Sequence, residues 1–116
     1  YDSAFKYCQL AETLSEKVSD KKRLKSFYHT LGSVYSTKGD YQRTILYSEK
    51  AFALAEKDKK THPSQLCSYL LNIASAANAI GQKEKTLDTY KRAIKYNYLP
   101  EVIHRKIGQT YLSLNR

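Results

Sequence analysis

Between residues 21 and 38 the apolar side chains Leu24, Tyr28, Leu31 and Tyr35 recur at the spacing of one helix face, with Ser26, His29, Thr30, Ser33, Ser36 and Thr37 on the other. Similar periodicity, punctuated by glycine and proline, predicts six helices at roughly 2–17, 21–38, 41–57, 63–80, 83–96 and 101–114. Gly39 and Gly81 fall where helices end and the chain must reverse, a place for the left-handed conformation that glycine adopts without penalty. Pro63 and Pro100 stand at helix starts, where the missing N–H costs nothing. Gly32 and Gly108 lie inside helices, where glycine costs about 1 kcal/mol against alanine. Close approach of a partner helix is the expected reason for both.

The elements repeat. Gly39, Thr44 and Ala51 recur 42 residues later as Gly81, Thr86 and Ala93. At an offset of 40, Tyr41, Tyr47, Ala51 and Leu54 match Tyr1, Tyr7, Ala11 and Leu14. Ile73-Ala74 maps onto Ile107-Gly108 at 34, and Gly32 and Tyr35 return as Gly108 and Tyr111 at 76. Periods of this size mark stacked supersecondary units.

Tyr28, Leu31-Gly32, Tyr35, Gly39-Asp40-Tyr41, Tyr47, Ala51 and Leu54 resemble the tetratricopeptide repeat, in which L-G-x-x-Y precedes a turn and alanine marks the second helix. Residues 67–100 resemble it through Leu70, Ile73, Ala74, Gly81, Thr86, Ala93 and Tyr96, although Ala77 replaces the first-helix tyrosine and Gln82-Lys83 replaces Asp-Tyr. Repeats of 40 to 42 residues exceed the usual length of about 34 and are similar to those of kinesin light chains and bacterial peptide-sensing regulators. The resemblance implies an all-α chain, a right-handed α-solenoid of antiparallel helix pairs. One segment, 1–116, then comprises the second helix of a truncated repeat (1–20), two full repeats (21–58 and 63–98) and the first helix of another (100–116). The absence of an initial Met is expected of a piece of a longer chain, with open apolar faces at both ends through which copies could associate.

The resemblance also implies that first helices line a concave groove. Helical spacing assigns to it His29, Thr30, Ser33, Ser36 and Thr37, then Leu71, Asn72, Ser75 and Asn78 beside Ser68 and Ala79, then Arg105, Lys106 and Gln109 beside Val102, Leu112 and Ser113. This lining is small and polar and turns basic toward its C-terminal end. Asparagine, both donor and acceptor, suits an extended peptide backbone. Asn72 and Lys106 match positions that grip chaperone C-termini in the family, but His29, Ser33 and Val102 hold the other positions, so a two-carboxylate clamp is not expected. The expected partner is a protein or peptide, acidic or with a free C-terminal carboxylate. A sensor segment of a bacterial signalling or transcription regulator is the alternative.

The 20 Lys and Arg against 11 Asp and Glu sharpen this expectation: residues 1–58 carry ten basic and eight acidic side chains, residues 59–116 ten and three. Eleven tyrosines and basic clusters at Lys21-Lys22-Arg23-Lys25 and Lys57-Lys59-Lys60 would suit single-stranded nucleic acid. Six of the tyrosines, however, fill matched repeat positions that interhelix packing explains better, and charge runs are usually solvated, so nucleic acid is not the expected partner. Isolated Cys8 and Cys67 read as buried thiols of a reducing, cytoplasmic compartment, and no apolar run reaches the roughly 18 residues of a membrane span. His62 falls in a turn, His104 in the packing position matching Tyr28, and His29 has no partner base or carboxylate at helical spacing. Without zinc spacing or a phosphate-cradling glycine loop, neither catalysis nor a metal or other cofactor is expected.

Overall fold

The computed structural model describes Lys6, Gln9, Leu10, Thr13, Leu14, Lys17 and residues 21–114. Within residues 21–114 five helices follow one another: α1 (Lys21–Lys38), α2 (Tyr41–Lys57), α3 (Pro63–Ala79), α4 (Lys83–Ile94) and α5 (Pro100–Leu114). No strand occurs among the described residues. The expected helix over 2–17 lies largely outside them, as do Tyr1, Tyr7, Cys8 and Ala11; Lys6, Gln9, Leu10, Thr13 and Leu14 are helical. The expected bounds hold for α1 and α2, whereas α3 ends a residue early and α5 starts at Pro100 itself. α4 stops at Ile94 rather than 96, because the N–H groups of Tyr96 and Asn97 donate to Ala93 and Ile94 at 3.2 and 3.1 Å in tighter turns, and Asn97 then takes φ 54°.

The two reversals at Gly39 and Gly81 are built alike. Gly39 and Gly81 have φ 82° and 78°. The N–H of Asp40 reaches back to Tyr35 O and that of Gln82 to Ala77 O, each at 2.9 Å, while the glycine N–H groups bond Ser36 O and Asn78 O at 3.1 Å. This pair of bonds satisfies the last carbonyls of each helix and turns the chain within a few residues, so that the flanking helices run antiparallel. Asp40 then opens α2 by accepting the Arg43 N–H on its side chain at 3.3 Å. His62, read from sequence only as a turn residue, caps α3: its Nδ1 accepts from the Ser64 N–H at 3.2 Å, with Pro63 following in the first turn.

Each helix packs on the next in chain order, α1 on α2, α2 on α3, α3 on α4 and α4 on α5. The result is flat, measuring 45 × 33 × 16 Å. Leu31, Cys67, Leu70, Ile73 and Ile103 are fully buried. Truncating such a leucine or isoleucine to alanine costs about 2–5 kcal/mol. Between α1 and α2 the tyrosines form a ladder: Tyr47 stacks on Tyr35 at 5.5 Å and on Tyr28 at 6.0 Å, with Lys50 and Arg43 over the rings. Offset stacking and cation–π attraction add to the apolar burial of these rings.

On α5 the repeat correspondences fail. Gly108 has nothing within 4 Å of a built Cβ, so no close approach explains it. Tyr111 is 45% exposed where its match Tyr35 is buried, and His104, matched to Tyr28, is exposed. Tyr28 and Tyr35 are covered by Tyr47 of α2, whereas no described helix plays the part of α2 against the outer face of α5. Leu10, Leu14 and Leu112 are likewise more than half exposed, at 59%, 56% and 62%. No described helix is long and apolar enough to cross a membrane.

Candidate functional site

The polar faces of the odd-numbered helices enclose two clefts, one on each flank of α3. The first, of about 310 Å³, lies between α1, α2 and α3. His29, Ser33, Ser36 and Thr37 of α1 form one wall, Asn72 and Ser75 of α3 the other. Its floor comes from α2, where Tyr41, Thr44 and Ser48 look out beneath Gly32. Gly32 is what opens this floor: without a Cβ, it lets α2 bring the Ser48 hydroxyl under α1. The Thr44 hydroxyl is spoken for, donating to Asp40 O at 3.0 Å. Ser48 is 7% exposed, and its hydroxyl has no hydrogen-bond partner among the described residues.

The second cleft, of about 230 Å³, lies between α3, α4 and α5. Asn78 stands on α3, Lys83, Thr86 and Tyr90 on α4, and Lys106, Gln109, Thr110 and Ser113 on α5. Lys83 Nζ donates to Asn78 Oδ1 at 2.6 Å, which holds the ammonium at the rim. No carboxylate lines this cleft, and neither Lys83 nor Lys106 forms an ion pair among the described residues.

The linings of the two clefts are related by the sequence offsets. At the offset of 42, Ser36, Tyr41, Thr44 and Ser48 correspond to Asn78, Lys83, Thr86 and Tyr90; at 34, Asn72, Ser75 and Ala76 correspond to Lys106, Gln109 and Thr110. One local architecture is therefore lined twice with different chemistry. The first cleft contains no permanent charge, and His29 sets its ring edge-on to Tyr69 at 5.6 Å. The second contains two cations.

Of the residues assigned to a groove from sequence, the first cleft gathers six and the second gathers Asn78, Lys106, Gln109 and Ser113. Thr30, Leu71 and Arg105 line neither. Thr30 spends its hydroxyl on Ser26 O at 3.0 Å, and Leu71 is half-buried against the main core. The floor residues Thr44, Ser48, Thr86 and Tyr90 escaped the sequence reading because they belong to second helices. Their signal was present in the Thr44 and Thr86 pair, which fills the same buried position twice.

Elsewhere, Cys67 is buried, with its thiol directed at Tyr98 O at 3.7 Å; desolvation pushes its pKa above the usual range. Among the described residues no three His, Cys, Asp or Glu side chains are grouped as metal ligands would be. No protein-family model matches the chain, and no curated protein matches it.

Proposed function

We propose that the chain is a segment of a tetratricopeptide-type, right-handed α-solenoid that binds a protein or peptide along the groove of its first helices, as a non-catalytic scaffold or adaptor. The observation that carries the reading is the recurrence of a polar cleft at the sequence offset of the repeat, among helices that each pack chiefly on the next in the chain. Packing between successive units is what a stacked array requires, and a repeated lining is what an extended ligand meets. The repeats within it are 21–58 and 63–98. Hydroxyl and amide groups on rigid helices present donors and acceptors in advance of binding, so little side-chain ordering opposes association.

An immobilised array of random heptapeptides probed with the chain tests the reading, followed by fluorescence polarisation of the bound sequences. Asn72→Ala and Ser75→Ala are expected to weaken those peptides by about tenfold, the loss of one or two hydrogen bonds. The exposed Gln42→Ala is expected to leave them unchanged. An array without bound peptides, or equal affinities for all three variants and the native chain, would remove the groove from consideration.

A further inference from the structure

The two clefts share one frame but differ in charge, and the difference is confined to a few positions. Lys83 stands in place of Tyr41, Lys106 in place of Asn72 and Tyr90 in place of Ser48. Building on the peptide-groove reading above, we propose that the clefts recognise two chemically different groups on one extended ligand. The first takes an uncharged hydroxyl or carboxamide side chain, and the second takes a carboxylate about three residues away.

For the first cleft the argument is the Ser48 hydroxyl. Ser48 as a residue is more than nine-tenths buried and lines the floor, and its hydroxyl lacks a partner among the described residues. A ligand hydroxyl or amide can donate to it while Asn72 and Ser75 accept and donate from the wall. A carboxylate entering the same space would lose hydration and meet no cation, a cost that excludes it.

For the second cleft the argument is uncompensated charge. Glu84, Asp88 and Glu101 are the only carboxylates of residues 59–116, and none lines it. Lys83 gives one of its three N–H donors to Asn78, which leaves two for a ligand, and Lys106 approaches from α5. Charge-assisted bonds from two ammonium groups favour a carboxylate over a carboxamide of the same shape.

The spacing follows from α3, which separates the clefts. A helix with its side chains is about 10 Å across. Extended chain advances about 3.3 Å per residue, so about three residues bridge the clefts. The carboxylate can belong to an Asp or Glu side chain or to a peptide C-terminus.

The test uses fluorescence polarisation of labelled alanine-based peptides carrying one Ser and one Asp, separated by one to five positions, with matched Asn peptides. A second arm ends the peptide at the third position after Ser as a free acid or as an amide. Binding is expected to peak at a separation of three, with Asp or the free acid favoured over its neutral match by about fivefold. Whichever arm shows the preference identifies the source. In a Lys83→Ala/Lys106→Ala variant the preference is expected to vanish while the neutral peptides bind as before, which also shows that the variant folds. Equal binding of acidic and neutral peptides by the native chain, or a preference that survives in the double variant, overturns the inference while leaving a peptide groove intact. Failure of both this panel and the random array to bind overturns the groove itself.

Discussion

The Oγ of Ser48 stands 3.1 Å from the place a Cβ would occupy on Gly32. The same contact settles two things. It lets α1 and α2 approach closely, with Thr44 Oγ1 3.4 Å from Gly32 O across the interface, and it leaves the Ser48 hydroxyl at the bottom of the first cleft. Glycine at this position is therefore a packing residue and, through Ser48, a residue that shapes the candidate site.

A double-mutant cycle separates the two effects at Gly32. Alanine there recovers about 1 kcal/mol of helix propensity but forces Ser48 to give way. In a Ser48→Ala background the obstacle is gone, so Gly32→Ala is expected to be about 1 kcal/mol more favourable than in the native background. Urea unfolding of the four proteins measures this difference. Additive effects would mean that Ser48 turns aside without cost.

Gly108 is the control supplied by the repeat itself. It sits inside α5 with open space around its would-be Cβ and ordinary helical backbone. Gly108→Ala is expected to stabilise the chain by about 0.5–1 kcal/mol and to raise the thermal midpoint by a few degrees. Gly39→Ala, at φ 82°, is expected to destabilise by about 1 kcal/mol despite equally open space, because the backbone there is left-handed. Identical shifts in the two melting curves would contradict this distinction.

Comparing Gly32 with Gly108 also shows how far the sequence could be read. Helical spacing and the Gly39 and Gly81 turns were sufficient for the element order, since each is a local property of a short stretch. Periodicity also separated the polar from the apolar faces of α1 and α3, and most of the walls of the first cleft follow from that. What it could not supply was the neighbour. Gly108, Tyr111 and His104 match Gly32, Tyr35 and Tyr28 in register, yet burial of the latter depends on α2, and no described helix covers α5 in that way. The cleft floors were hidden for the same reason: Ser48 and Tyr90 lie on second helices, and only the fold brings them beneath the first.

Burial of Cys67 makes stability depend on alkaline pH. An ordinary thiol titrates near 9.0, and desolvation raises the folded value above that. The folded chain keeps the proton where the unfolded chain has released it. This contribution is therefore present in full below the unfolded value and is lost as pH rises through the folded one. Tyr69 and Tyr90, also raised by burial from 10.0, add the same trend at higher pH. Cys67→Ala is expected to lower stability by about 1 kcal/mol at neutral pH, yet to flatten its decline between about pH 9 and 10. Urea midpoints at pH 7, 9 and 10 compare the slopes; parallel curves for native and variant chains would assign the decline to another group.

Glu49 adds an electrostatic tie between α2 and α4 beside the packing of Phe52. Its Oε1 lies 3.8 Å from Lys85 Nζ and 3.5 Å from an Arg92 guanidinium nitrogen, and that guanidinium also covers the Phe52 ring at 5.2 Å. All three charged side chains are about 40% exposed, so water and salt screen both pairs. Glu49→Gln is accordingly expected to cost about 0.5 kcal/mol at low ionic strength and nothing measurable at about 1 M salt. Phe52→Ala, which opens a core position and removes the platform beneath Arg92, is expected to cost about 3–5 kcal/mol at either salt concentration. Chemical unfolding with urea, which leaves ionic strength free to vary, separates the two. A salt-independent loss for Glu49→Gln would show that the carboxylate acts through packing on α4 instead.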